Sequence, residues 1–362
     1  MPVIFLALTR YPYLRMHCGS AGLAFTFGSL TASAFVDSIG ALIATQGVLY
    51  AIGCSLLFSP ISIFMNEWFV ERKGFAHGVM WAGKATVGVV APFVFDAMLR
   101  RVGYKATLLG WAGTSVVLML PTMFFLKPRI PVPRTARGRP VSFSFTRRTA
   151  FWMMLWGVVI QGVGYLMPTT YLASYAINVG HSSITAPILL ALVQLMSAPG
   201  GVLIGLLGDR FGASMAIITA SFGGTLPVFL LWGLSFHLAN LVVFVLLYGF
   251  FAGSFSSTWS CVMNELTRND NGSESSVIFG FLLGARGLGF VLAGPVSGAL
   301  LSLHESLSEE ALGYATKYGP MIIFTGVTAV LGAWGPMWKG AYTVTKAMRS
   351  QCTGSVVQTA SR

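Results

Sequence analysis

GFAHGVMWAGKATVGVVAPFVFDAML at 74–99 and SVIFGFLLGARGLGFVLAGPVSGALL at 276–301 decide how this chain folds. Each is a glycine-rich apolar stretch with a basic residue near its middle, Lys84 in the first and Arg286 in the second. A full charge at the centre of a membrane helix costs roughly 2.5–3.5 kcal/mol on insertion scales, so such residues normally face a bundle interior or a wet cavity. At about 1.5 Å rise per residue, both lie roughly 14–15 Å along their stretch, near the midplane of a hydrocarbon core about 30 Å thick. The two cations mark an expected binding depth.

Working outward, 55% of the 362 residues are hydrophobic and 9% charged, with a mean hydropathy of +0.73. That balance lies outside the range of water-soluble domains and points to an all-α polytopic membrane protein. Ten stretches are long enough to span: 18–36, 40–64, 75–98, 106–126, 150–177, 183–207, 213–234, 238–262, 276–301 and 319–338. The opening MPVIFLAL is too short for a span and has no basic region before it, so it reads as neither a span nor a signal peptide.

In a soluble protein the net charge of +12 would suggest nucleic acid. Here the basic residues lie between apolar runs, which is the positive-inside pattern. With 127–149 placed in the cytoplasm, only Arg100, Arg101, Lys105 and Lys317 fall on the far side, Lys84 and Arg286 stay in the membrane, and every other lysine and arginine is cytoplasmic. Asn271, in Asn-Gly-Ser, then faces the cytoplasm and escapes glycosylation. KPRIPVPRTARGRPVSFSFTRR (127–148) has no acid and reads as a linker along anionic headgroups; 339–362 reads as a polar cytoplasmic tail. Cys18, Cys54, Cys261 and Cys352 are scattered, and the five histidines are dispersed toward span ends. No cysteine framework, metal cluster, nucleophile with a base or phosphate loop is indicated, so no cofactor or metal is expected and the reading is not an enzyme.

An internal repeat organises the spans. LYAIGCSLLFSPISIFMNEW from Leu49 matches LYGFFAGSFSSTWSCVMNEL from Leu247 at an offset of 198 residues, including Met65, Asn66 and Glu67 on Met263, Asn264 and Glu265. Four residues inserted in the next loop bring Gly78 onto Gly280 and Lys84 onto Arg286, so the two cations are repeat equivalents. GLLGDRFG (205–212) comes about 60 residues into the second half, whereas its counterpart LALTRYPY (6–13) almost opens the chain. The expectation is a twelve-span parent lacking about 50 residues here, one span and part of another. The units expected are a bundle at 1–126, a linker at 127–149, a six-helix bundle at 150–338 and a tail at 339–362.

Two six-span halves, a basic central loop, and Gly205, Asp209, Arg210 and Gly212 in GLLGDRFG resemble the major facilitator superfamily. More specifically, NEWFVERKGFAHGVMWAGKATVG (66–88), GFFAGSFSSTWS (249–260) and FGFLLGARGLGFVLAGP (279–295) are similar to the fungal branch of monocarboxylate-transporter-like carriers. The resemblance implies that Asp209 neutralises a helix N-terminus at a cytoplasmic gate, with Arg210 beside it. It also implies that the helices matching 40–64, 150–177 and 238–262 line the cavity, which makes Tyr50, Gln161, Tyr165 and Tyr248 pocket candidates. Animal members carry an aspartate and an arginine in the helix matching 183–207. Gln194 and Ala198 stand there before Pro199, so their proton-coupled mechanism does not carry over and Gln194 remains as a neutral candidate.

Arg286, an always-charged fork suited to carboxylate, leads the substrate-binding candidates, with Lys84 second. The plain reading of Arg286 is a structural arginine bonded to carbonyls. Glu67 and Glu265, near Arg72, Lys73 and Arg268, read as gate ion pairs, and Asp96 as an end charge near Arg100. The function expected is a secondary carrier, working by alternating access in the plasma or vacuolar membrane, for a small monocarboxylate-like organic anion or metabolite, with protons as the candidate coupling ion. Export of a larger apolar metabolite is the rival within transport. A truncated, non-transporting protein or substrate sensor is the rival outside it.

Overall fold

The computed structural model describes residues 1–69, 71–129, 141–182, 185–235, 237–267, 274–303 and 313–336. Asn271, Arg268, most of the basic linker and the 339–362 tail lie outside the described residues. The described residues form helices and connecting turns, without strands.

The opening stretch is a nine-residue helix, α1 (Pro2–Arg10), with proline in its first turn, where a missing N–H costs nothing. Next come α2 (Arg15–Ser33) and α3 (Ile39–Trp68), the latter started by Ser38, whose Oγ accepts from the Ala41 amide at 3.3 Å. The spans expected at 75–98 and 106–126 are both present, within the stretch Lys73–Phe125. Gly103 breaks it with φ of 79°, a left-handed conformation open to glycine, giving α4 (73–102) and α5 (104–125). At 53 residues this run is long enough to cross a bilayer twice.

The second half holds α6 (Thr149–Asn178), α7 (Thr185–Phe211), α8 (Ala213–Trp232), α9 (Leu238–Thr267), α10 (Glu274–Ser302) and α11 (Gly319–Leu331). Gly212, between α7 and α8, has φ of 90°, which accounts for the final glycine of GLLGDRFG. Seven helical stretches among the described residues, the 53-residue run counted once, are long and apolar enough to cross a membrane.

The buried side chains form two clusters, and one of them joins the two halves. One, at the end of the molecule where the linker joins, draws on both halves: Phe5, Leu8, Ile63 and Phe64 pack with Phe145, Phe151, Trp259 and Phe279. The other, toward the opposite end, comes from the second half alone and centres on Tyr175, Trp232, Phe244 and Tyr318. Across the interface α4 runs against α7 and α1 against α10. The closest approaches need glycine. A Cβ on Gly78 would fall 2.5 Å from the Gly201 carbonyl oxygen, and one on Gly280 2.7 Å from the Phe5 Cβ. Residues 1–125 and 149–336 therefore pack tightly against each other at the linker end.

Candidate functional site

Arg286 enters the interior from the middle of α10 and is 8% exposed. Its helix lies close to α6 because Gly289 faces Val159, where a Cβ would sit 2.5 Å from the backbone oxygen. That approach lets the Arg286 Nη1 donate to Gln161 Oε1 at 3.1 Å. The guanidinium lies over three aromatic faces, 4.5 Å from the Tyr165 ring centre, 5.1 Å from Phe290 and 5.7 Å from Trp259. Cation–aromatic contacts stabilise by about 0.5–2 kcal/mol each, more when dry, and a hydrogen bond to a charged group by about 1.5–3 kcal/mol. Together these offset the cost of burying the charge without neutralising it. Among the described residues no carboxylate pairs with Arg286.

Tyr165 stacks between Tyr248 and Phe290, with ring centres 6.1 and 6.2 Å apart. The Tyr248 hydroxyl donates to the Tyr165 backbone oxygen at 3.3 Å, so Tyr248 braces the cage from behind. Facing them from the first half, Lys84 on α4 is exposed, with its Nζ 5.6 Å from the Trp81 ring centre. Trp81 meets Trp259 edge to face at 6.3 Å, which links the two cations through a pair of indoles. Gln194 on α7 lies over Gly88, where a Cβ would be 2.6 Å from its Nε2, one turn beyond Lys84.

The structure thus gathers Arg286, Gln161, Tyr165 and Tyr248, with Lys84 and Gln194 on the opposing wall. Tyr50 is elsewhere: its hydroxyl engages Cys54 and Trp111 within the first half. Asp96 does not reach Lys84. It bonds Arg100 at 3.0 Å with both side chains exposed, as expected of an end charge.

At the linker end Asp209 accepts from the backbone amides of Gly74 and Phe75, each at 2.9 Å, capping the N-terminus of α4 from the other half. A helix N-terminus carries free N–H groups and partial positive charge, so a carboxylate there is doubly favoured. Arg210 is exposed, its guanidinium 5.5 Å from the Phe211 ring centre. Glu67 corrects the expected pairing: its partner is Arg15, at 2.7 Å, and not Arg72 or Lys73. Arg15 sits one turn beyond α1, where its Nε also holds the Leu8 carbonyl at 2.9 Å, which brings it to Glu67. Glu265 lines a cleft of about 480 Å³ with Asp209, Glu71 and Asn264, at the gate and away from Arg286.

The family model described as Major Facilitator Superfamily matches residues 8–294, more than three quarters of the chain. The chain belongs to the Major Facilitator Superfamily. Its relatives within the superfamily include the MFS-type transporter pynF of Aspergillus niger, 28% identical over 292 residues, covering 80% of this chain and 66% of that protein. MFS-type transporter 1 of an Ophiocordyceps species is 25% identical, covering 85% and 65%. Monocarboxylate transporter 10 of Danio rerio is 26% identical, covering 75% and 55%. The chain therefore spans under two thirds of the length of these relatives. The superfamily fold is also that of the human organic anion transporter MFSD10, with a TM-score of 0.67 at 16% identity over 92% of this chain and 79% of that one.

Three aromatics beside the two cations are not among the candidates the sequence offered: Trp81, Trp259 and Phe290. Two carried a local signal. Trp81 lies three residues before Lys84 and Phe290 four after Arg286, spacings that share a helix face. Trp259 joins through tertiary packing alone.

Proposed function

We propose that this superfamily member is a secondary carrier that moves a small organic anion by alternating access, binding it at Arg286 between the halves. The observation that carries the reading is a buried guanidinium with one neutral hydrogen-bond partner, an aromatic surround and no carboxylate among the described residues. Its unused N–H donors suit a carboxylate. Lys84 supplies a second positive charge from the other half, and Tyr165, Gln161 and Gln194 shape the pocket around the anion; Tyr248 supports Tyr165.

The positive-inside pattern supports a cytoplasmic linker end, so the tightly packed end described above is the cytoplasmic one. In this reading the Asp209 cap and the Phe5–Gly280 contact form the cytoplasmic gate, and the units are a bundle at 1–126 and one at 150–338. Export is favoured over uptake by similarity to two further relatives, the fujikurins efflux protein of Gibberella fujikuroi and the agnestins efflux protein of Paecilomyces divaricatus. The aromatic cage would also accept an anion larger than lactate.

Transport of radiolabelled benzoate into vesicles carrying the purified chain tests this. Arg286→Gln is expected to lower the initial rate at least about tenfold, the loss of one charge-assisted contact, with Arg286→Lys intermediate. Equal rates for all three proteins would remove Arg286 from the binding site.

A further inference from the structure

Directly on the linker side of the two cations lies a layer of hydrogen-bond donors with nothing to donate to. The indole nitrogens of Trp81 and Trp259 and the hydroxyl of Ser257 are sealed from solvent and have no partner among the described residues. Trp259 and Ser257 are both 0% exposed. They come from both halves, Trp81 from α4 and the others from α9: Ser257 and Trp81 flank Gly201, where a Cβ would lie 3.3 Å from the Ser257 Oγ and 3.9 Å from the Trp81 Cβ, and Trp259 meets Trp81 edge to face. Trp259 touches the Arg286 guanidinium at 5.7 Å on one side and Phe279 of the sealed linker end at 6.1 Å on the other. Along α4, Trp81 precedes Lys84 by three residues, about 4.5 Å nearer the linker end.

Leaving a buried donor unpaired costs about 1–3 kcal/mol, and native proteins tolerate few such groups without a use for them. Indole nitrogen can only donate. Trp259 faces the Arg286 guanidinium, and Trp81 faces Trp259 edge to face from the other half.

We propose that Trp81, Trp259 and Ser257 form a second station, beside the cation pair, that binds an additional acceptor oxygen of the transported anion, so that the preferred ligands are carboxylates with a neighbouring carbonyl. This rests on Arg286 being the anion site. Because the donors are sealed while the linker end is closed, a ligand that uses them binds the linker-open state and draws the carrier toward it.

The test is calorimetric titration of the purified chain with benzoylformate and with phenylacetate, anions of similar size and equal charge that differ by one carbonyl oxygen. Wild type is expected to bind benzoylformate about tenfold more tightly, the effect of one well-placed hydrogen bond. Trp81→Phe, Trp259→Phe and Ser257→Ala each reduce that ratio, and in Ser257→Ala, which leaves the rings around the two cations intact, phenylacetate binding stays within about twofold. Ser257→Ala removes an orphaned hydroxyl and should melt no lower than wild type, which separates the station from a structural role and covers a poorly folding tryptophan variant. Equal binding of the two anions by wild type, or a ratio unchanged in all three variants, overturns the station and leaves the anion site standing. Failure of wild type to bind either anion overturns both.

Discussion

At the scale of single residues, the costliest features were the easiest to read. A lysine and an arginine inside apolar stretches announce themselves because a buried charge needs a reason, and Arg286 does lie in an aromatic cage, built by α6, α9 and its own helix α10. Its cage was only half legible. Gln161 and Tyr165 stood out as polar groups in an apolar span, whereas Trp259 looks like any core aromatic until packing brings it to the guanidinium. Tyr50 shows the converse. It matches Tyr248 in the repeat, yet its hydroxyl turns to Cys54 and Trp111, because a repeat equivalence fixes a helix position and not a side-chain partner. Asp209 carries a prediction of its own. Its two amide contacts close the linker end from the opposite half. Asp209→Asn keeps the shape but loses charge and one acceptor, so about 1.5–3 kcal/mol of closure is at stake. Alkylation of a cysteine introduced at Phe75 should become about tenfold faster or more in the variant; an unchanged rate would mean the cap does not hold the gate.

At the scale of elements, hydropathy found every helix long enough to matter, and their ends fell within a few residues of the expected limits. It separated α4 from α5 and expected a loop at 99–105, where Arg100, Arg101 and Lys105 interrupt the apolar pattern. The chain turns there at Gly103 alone, with helix on both sides. Glycine also sets how closely elements approach across the halves. Gly74 and Gly78 of α4 face Gly205 and Gly201 of α7, four residues apart on both helices, so backbone meets backbone with no side chain between. Gly78→Ala would drive a methyl against the Gly201 carbonyl oxygen. Overpacking of this kind costs about 1–3 kcal/mol. A lowered thermal midpoint, with the loss reduced when the linker end is held open by Asp209→Asn, is the expected signature. An unchanged midpoint would show that the contact is not tight in the folded protein.

At the scale of the whole molecule, two related halves are the organisation that the repeat proposes, and the superfamily was legible from GLLGDRFG and its neighbours. Which end is closed was not. That depends on small differences between contacts spread over both halves: the Asp209 cap, Phe5 against Gly280, and the cluster of Phe5, Ile63, Phe145 and Phe279. None of these partners is near another in sequence. The same contacts make closure reversible, because each joins surfaces that remain intact when the halves part, and the orphaned donors of Trp81, Trp259 and Ser257 weaken the closed form. An anion between Lys84 and Arg286 then has something to act on, since it can shift an equilibrium only by binding one state better than the other.

The most direct test of that account is a pair of spin-label distances between the halves, measured on a cysteine-free background with and without benzoylformate. Labels at the exposed positions 69 and 211 report the linker end, and labels at the exposed positions 35 and 177 report the other end. The account predicts that the anion lengthens the first distance and shortens the second, and that Arg286→Gln abolishes both changes. Distances that ignore the anion, or that respond equally in the variant, would contradict alternating access around an arginine-held anion.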